Sequence, residues 1–315
     1  MFRSARKNSH SDPLMNRPVA SRRDFLRHAA ALTAGTLPWL AGRGRAFARL
    51  QGTLFPTDET IILKRLARGF DEDLFRLPVG DLVAEMGRSF LGRPYSANTL
   101  EEPGEEHLVV NLREFDCVTL CETSLALARG VKLRAASVEA YSAQLRLIRY
   151  RSGIIRGYPS RLHYFSEWIA DNEKKKVLSN ITKELGGRRD RRTLNFMSTH
   201  REAYPRLASE ADRAAILATE KELSGTQRYF VPKEKVAGLL GSIRNGDIIA
   251  ITTGVSGLDV SHTGIAVRDG GMTRLLHAPN AGQQVQITGG SLSDYLNAHE
   301  KQTGIMVGRP IDPGT

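Results

Sequence analysis

The stretch Phe115-Asp116-Cys117-Val118-Thr119-Leu120-Cys121-Glu122-Thr123-Ser124-Leu125-Ala126-Leu127-Ala128-Arg129-Gly130 sets a thiol at the start of a helix, and the rest of the fold is read outward from it. Asp116 is a suitable N-cap, because its carboxylate can accept from the free amides of the first turn. Cys117 then takes the first helical position, and Gly130 supplies a C-terminal stop. A thiol placed there meets the positive end of the helix dipole, which favours the thiolate over a free thiol of pKa about 8.5. Cys121, one turn deeper, lacks that advantage and reads as a structural cysteine. The competing reading of Cys117 is a small buried apolar side chain.

Upstream, residues 59–69 and 78–90 carry helical periodicity, the second through Leu82, Met86 and Phe90. Gly92-Arg93-Pro94-Tyr95 breaks the pattern. A Glu-rich loop then leads to Leu108-Val109-Val110-Asn111-Leu112, a short apolar strand or extended segment. Downstream, residues 138–150, 162–177 and 210–223 are expected to be helices. Beyond Gly246 the pattern changes to strands, expected at 247–252, 261–267, 274–278, 284–287 and 304–307. Helices first and strands later argue for the α+β class rather than an alternating parallel sheet. Residues 49–315 are expected to form a single catalytic domain, with a helical insertion over about 131–240.

A nucleophilic thiol needs a base and a group that orients the base. If Asp269-Gly270 makes a two-residue hairpin turn, His262 faces His277 directly on one side of the sheet. Their Cβ atoms would then lie about 4.5–5.5 Å apart, close enough for one imidazole to orient the other. A three-residue loop through Gly271 without a bulge would shift the register and spoil the pairing. His163 is the main competitor as base, although it falls at a loop-to-helix boundary. His107, His200 and His299 have no comparable setting and read as surface residues.

The chain has 315 residues, 41% hydrophobic and 25% charged, a mixture able to bury a sizeable core. Its formal net charge of +11 invites a nucleic-acid reading. Residues 1–48, however, hold nine Lys/Arg and two Asp/Glu, which leaves 36 basic and 32 acidic residues, or +4, in the remainder. That mild balance gives no basis for a nucleic-acid partner. Cys117 and Cys121, one turn apart in a helix, are poorly disposed for a disulfide and read as free thiols. The histidines are scattered, so neither a metal site nor a cofactor is expected.

Within the leader, Ser21-Arg22-Arg23-Asp24-Phe25-Leu26-Arg27 precedes an apolar run over 29–41, and Ala46-Phe47-Ala48 supplies small residues of cleavage-site type. The run is about 13 residues, short of the roughly 20 that span a bilayer. Residues 1–48 therefore read as a removed signal peptide, with no membrane span in the mature chain. The paired arginines before Phe-Leu resemble a twin-arginine signal, an address read by the export machinery. The expected location is exported and periplasmic.

Five pieces in order resemble one family, the NlpC-type cell-wall cysteine peptidases with a papain-like core. They are Leu91-Gly92-Arg93-Pro94-Tyr95, Phe115-Asp116-Cys117, Asn245-Gly246-Asp247-Ile248-Ile249, Ser261-His262-Thr263-Gly264-Ile265-Ala266 and Leu276-His277-Ala278. The resemblance implies a nucleophile helix packed on an antiparallel sheet, with Cys117 as nucleophile, His262 as base, His277 as orienting residue and Tyr95 lining the site. Typical members have Asp-Cys-Ser-Gly and a short link to the strands. This chain has Asp116-Cys117-Val118-Thr119 and a long insertion containing Arg161-Leu162-His163-Tyr164-Phe165-Ser166-Glu167-Trp168. Those departures are similar to the N-acetylmuramoyl-L-alanine amidase-like branch. The implied reaction is hydrolysis of the amide between N-acetylmuramic acid and L-alanine in peptidoglycan or muropeptides. Arg161, His163 and Trp168 are expected to bind peptide carboxylate and sugar, an ordinary helix N-terminal segment being the equal alternative. Two other functions share the same residues: a D-glutamyl-diamino acid endopeptidase, and a non-catalytic wall-binding module, against which an intact Cys-His-His set argues.

Overall fold

Ile248-Ile249-Ala250-Ile251 shows no polar alternation, the pattern of a strand covered on both faces. The computed structural model, which describes residues 54–281 and 283–314, sets this run near the middle of an eight-stranded sheet. The leader of residues 1–48 and its twin arginines lie outside the described residues.

The described chain begins with helices α1 (Pro56–Asp71), α2 (Val79–Arg88), α3 (Cys117–Lys132) and α4 (Val138–Arg149). Then come α5 (Phe165–Lys174), β1 (Leu178–Asn180), β2 (Arg188–Asp190), α6 (Phe196–Thr199), α7 (Glu210–Gly225), β3 (Arg228–Pro232) and α8 (Lys233–Leu239). It closes with β4 (Ile248–Thr253), β5 (Val260–Asp269), β6 (Met272–His277), β7 (Gln286–Ile287), α9 (Leu292–Asn297) and β8 (Gln302–Pro310). The sheet runs β2-β3-β8-β4-β5-β6-β7, with β1 also paired to β8, and its ladders are antiparallel. This is the α+β mixture expected from the order of patterns.

The two faces of the sheet divide the core. Ile248, Ala250, Ile265, Leu276 and Met306 face inward with Leu120 and Leu125 of α3, while Ile249, Ile251, Ala266, Leu275 and Ile305 pack against Val236 of α8 and Leu292 and Leu296 of α9. Each fully buried Ile or Leu contributes about 1.5–3 kcal/mol. Helix α3 is itself wrapped by α1, α2, α4 and β5. That is why its sequence is apolar around most of its circumference rather than along one stripe.

The structure refines three sequence expectations. The segment over 131–240 holds helices but also β1, β2 and β3, which extend the sheet beyond β8, so it is built into the domain instead of hanging from it. Strands of three to five residues are too short to show a period. Residues 108–112 lie outside the named strands; the Leu112 amide donates to the buried Asp58 carboxylate at 2.8 Å, and Arg113 pairs with the same group at 3.2 Å. Asp58 thereby fixes the path of the chain into α3. Helices α8 and α9 were absent from the expectation because each offers only about two turns.

Candidate active site

Cys117 is the first residue of α3 and is half-buried. Asp116 Oδ1 accepts from the amides of Val118 at 2.9 Å and Thr119 at 2.7 Å, and the Asp116 amide donates to Thr119 Oγ1 at 2.9 Å, a complete capping box. The approach to the helix is braced as well. The Phe115 amide donates to Pro94 O at 3.0 Å and the Ser96 amide to Phe115 O at 3.0 Å, so the Gly-Arg-Pro-Tyr break lays Tyr95 alongside the chain just before the thiol. From the sheet, Thr263 Oγ1 donates to Cys117 O at 2.7 Å. Cys121 is fully buried with its thiol 3.8 Å from Thr263 Oγ1, and burial pushes that thiol up. It is the structural cysteine of the pair.

The histidines meet by a different register from the one expected. Asp269 pairs with Met272, so the turn residues are Gly270 and Gly271, with φ of +56° and +80°. A type I′ hairpin needs positive φ at both centres, and Gly-Gly supplies it without the steric cost that Asp269 would carry. The register moves by two residues, an even shift that keeps every side chain on its face. His262 and His277 are therefore diagonal neighbours rather than a facing pair. His262 Nε2 nonetheless lies 2.8 Å from His277 Nδ1, with ring centroids 5.1 Å apart. Gly264 leaves room for this, since a Cβ there would stand 2.7 Å from Leu275 Cδ1 and 2.8 Å from the Leu276 carbonyl.

A bulge precedes His262. His262 pairs with Ile251 but Val260 with Thr252, which leaves Ser261 as the extra residue immediately before His262. His277 is 1% exposed. Burial lowers His262 to about 4, with His299 adding to the effect, and lowers His277 to about 2, with His262 and His299 adding. Both imidazoles are thus neutral near pH 7, the state in which one can accept a proton.

Tyr295 of α9 joins the cluster, 5.1 Å from the His277 ring at 87° and 6.2 Å from His262. Its phenol is raised to about 12 by burial and further by charge on Cys117; Tyr95 is raised by burial and by the same Cys117 charge. The Thr263 bond to Cys117 O, one residue from His262 on β5, brings the start of α3 against the strand that carries the histidine pair. His299 is no isolated surface residue: its ring lies 4.4 Å from that of Tyr295, and its Nδ1 is 2.7 Å from Tyr295 O. Of the other histidines, His107 pairs with Glu102 at 2.8 Å, and His200 stacks on Phe196 at 4.1 Å.

A cleft opens at the start of α3, lined by Asp116, Val118, Glu101, Arg161, His163 and Tyr204 among others. It encloses about 130 Å³, small beside the roughly 300–1,000 Å³ of ligand clefts. Arg161 is 4% exposed and held by Glu101 and the Leu100 carbonyl, so it shapes the wall with little freedom to reach outward. His163 lines the cleft with Nε2 2.9 Å from Tyr158 O. Trp168 corrects the expectation of a sugar platform. It is fully buried, and its indole donates to Glu122 at 3.1 Å, while Arg149 pairs with Glu122 at 2.7 Å. Its role lies under the cleft, holding α3 to α4 and α5.

Among the described residues no group of three or more His, Cys, Asp or Glu side chains is gathered to hold a metal ion, and no helix is long and apolar enough to cross a membrane. Fold and site together define an α+β protein with a thiol at a helix start, a hydrogen-bonded histidine pair on the adjoining sheet and a cleft opening at the start of the same helix. The chain belongs to the AmiA-like family, described as N-acetylmuramoyl-L-alanine amidase-like, whose model matches residues 85–305. It is similar to the crystal structure of an N-acetylmuramoyl-L-alanine amidase from Bacteroides uniformis, at 39% identity and a TM-score of 0.71 over 74% of this chain and 99% of that one. A putative xylanase from Bacteroides fragilis matches at 38% identity and a TM-score of 0.67, over 71% of this chain and 99% of that one. A Legionella pneumophila protein shares the fold at 21% identity and a TM-score of 0.61, over 81% of this chain and 95% of that one. No curated protein matches the chain.

Proposed function

We propose that this chain hydrolyses the amide between N-acetylmuramic acid and L-alanine in peptidoglycan or muropeptides, using Cys117 as a thiol nucleophile on a papain-like core of the NlpC type. The observation that carries the reading is the union of a helix-start thiol with the His262–His277 pair, tied by the Thr263 bond to Cys117 O. The family description and the name of the Bacteroides uniformis neighbour support the amidase part. A glycosidase, which the xylanase name would suggest, works with a pair of carboxylates. Here Asp116 caps α3, Glu122 is engaged by Arg149 and Trp168, and Glu101 holds Arg161.

In the proposed reaction His262 takes the Cys117 thiol proton as sulfur attacks the lactyl carbonyl carbon. The Val118 and Thr119 amides are occupied by Asp116, so the Tyr95 phenol, protonated at neutral pH, is the nearby donor suited to the oxyanion. The C–N bond breaks as His262 passes its proton to the alanine nitrogen, which leaves a thioester on Cys117. Water, deprotonated by His262, adds to that thioester; the thiolate departs, regains its proton, and a lactyl carboxylate is released. The leader supports a periplasmic setting reached through the twin-arginine machinery. Purified wild type should release peptide from muropeptides, Cys117→Ala should release none while keeping its fold, and Cys121→Ser should retain most activity; equal loss in both folded variants would contradict the assignment.

A further inference from the structure

The His277 imidazole uses one nitrogen only. Nδ1 lies 2.8 Å from His262 Nε2, whereas Nε2 is buried without a hydrogen-bond partner. A neutral imidazole carries one proton, so two arrangements satisfy the contact between the rings. In the first, His277 is protonated on Nε2 and its bare Nδ1 accepts from His262 Nε2–H, which leaves His262 Nδ1 bare. In the second, His277 Nδ1–H donates to His262 Nε2, which puts the remaining His262 proton on Nδ1. Only the first leaves His262 a lone pair with which to take a thiol proton.

The aromatic ring packed against His277 bears on the choice between them. The Tyr295 ring stands edge to face with His277 at 5.1 Å and 87°. An aromatic face is negative, so it attracts an N–H and repels a nitrogen lone pair. We propose that Tyr295 is a positioning residue that sets the tautomer of the histidine pair, by seating the His277 Nε2–H against its ring; the inference rests on the reading of His262 as the base. The ring is held in place by its own helix and by a neighbouring ring. A capping box formed by Ser291 and Asp294 starts α9 just before it, and the His299 ring lies 4.4 Å away. The depressed pKa of His277 keeps it neutral near pH 7, so that its single proton has a definite place. The face of the ring, not its hydroxyl, does the selecting.

Nitrogen-15 NMR of histidine-labelled wild type should show both His277 and His262 protonated on Nε2. Tyr295→Phe, which keeps the ring, should preserve both tautomers and hold kcat within about threefold. Tyr295→Leu should mix the tautomers and lower kcat on the order of 10²-fold while KM stays within about twofold. His277 protonated on Nδ1 in the wild type overturns the inference, as does a folded Tyr295→Leu protein with the wild-type tautomers and kcat. If the leucine variant fails to fold, the wild-type and phenylalanine spectra decide the matter. The tautomer is read without substrate, so wild type that hydrolyses no muropeptide contradicts the proposed function alone, and the spectrum still tests Tyr295.

Discussion

His262 Nε2 and His277 Nδ1 meet at 2.8 Å across a diagonal of the β5–β6 ladder. The Gly270-Gly271 turn sets the register that makes them diagonal neighbours on one face. In the proposed mechanism His277 acts on the thiol only through His262, which makes the quality of its acceptor the quantity to vary. His277→Asn should reduce kcat by about tenfold, because the amide oxygen can still accept. His277→Leu should cost about 10²–10⁴-fold, the range of general base catalysis. Steady-state kinetics on both folded variants checks the order; an equal effect would remove hydrogen bonding as the function of His277.

Burial lowers His262 to about 4 and His277 to about 2, both from an ordinary value of 6.5. Each folded-state pKa lies below its unfolded one, so folding favours the neutral form. The stabilisation is complete above pH about 6.5 and is lost as pH falls toward about 4, while the unfolded chain takes up protons that the folded chain refuses. The slope is about 1.4 kcal/mol per pH unit for each such proton. Urea unfolding across that window should show the decline, reduced in His277→Asn. The acid limb of kcat/KM should fall below pH 6.5, toward the lowered value of His262.

Trp168 and Arg149 hold Glu122 inside the protein. Arg149→Met leaves that carboxylate buried without its cation and should destabilise the fold by about 3–5 kcal/mol. Trp168→Phe removes the indole donor and should cost about 1–3 kcal/mol while leaving KM for muropeptide nearly unchanged. Thermal melts and Michaelis kinetics separate the two effects. A large rise in KM with an unshifted melt would return Trp168 to the substrate.

The elements that carry the site were the legible ones. Asp116 and Cys117 announced the helix start, the apolar runs announced β4 to β6, and the pair His262 and His277 followed from their spacing around a glycine turn. The turn itself was placed one residue early, because Asp269-Gly270 and Gly270-Gly271 are both turn sequences and only backbone φ separates them. The Ser261 bulge leaves no mark in composition, and Asp58 gave no sign that it would anchor Leu112 and Arg113 about fifty residues later. Tyr295 and His299 were missed since α9 has six residues, too few for a helical period, and joins the histidines only through the sheet. Trp168 was misplaced because an indole can pack on a sugar or on a buried carboxylate with the same local sequence around it.

The leader offers an independent test. Replacing Arg22 and Arg23 together with lysine keeps the charge but loses the guanidinium pair. The precursor should then accumulate in the cytoplasm, as followed by fractionation and immunoblot. Undiminished export would assign the leader to the general secretory route.

The central claim concerns which amide meets Cys117, and product identity tests it most directly. A defined muropeptide bearing a full stem should be incubated with purified enzyme and its products resolved by mass spectrometry. The account predicts a free peptide beginning with L-alanine, together with a sugar that carries an intact lactyl carboxylate, and neither product from Cys117→Ala. A fragment with a new amino terminus at the diamino acid, its L-alanine still joined to the sugar, would contradict the account and make the protein a D-glutamyl endopeptidase.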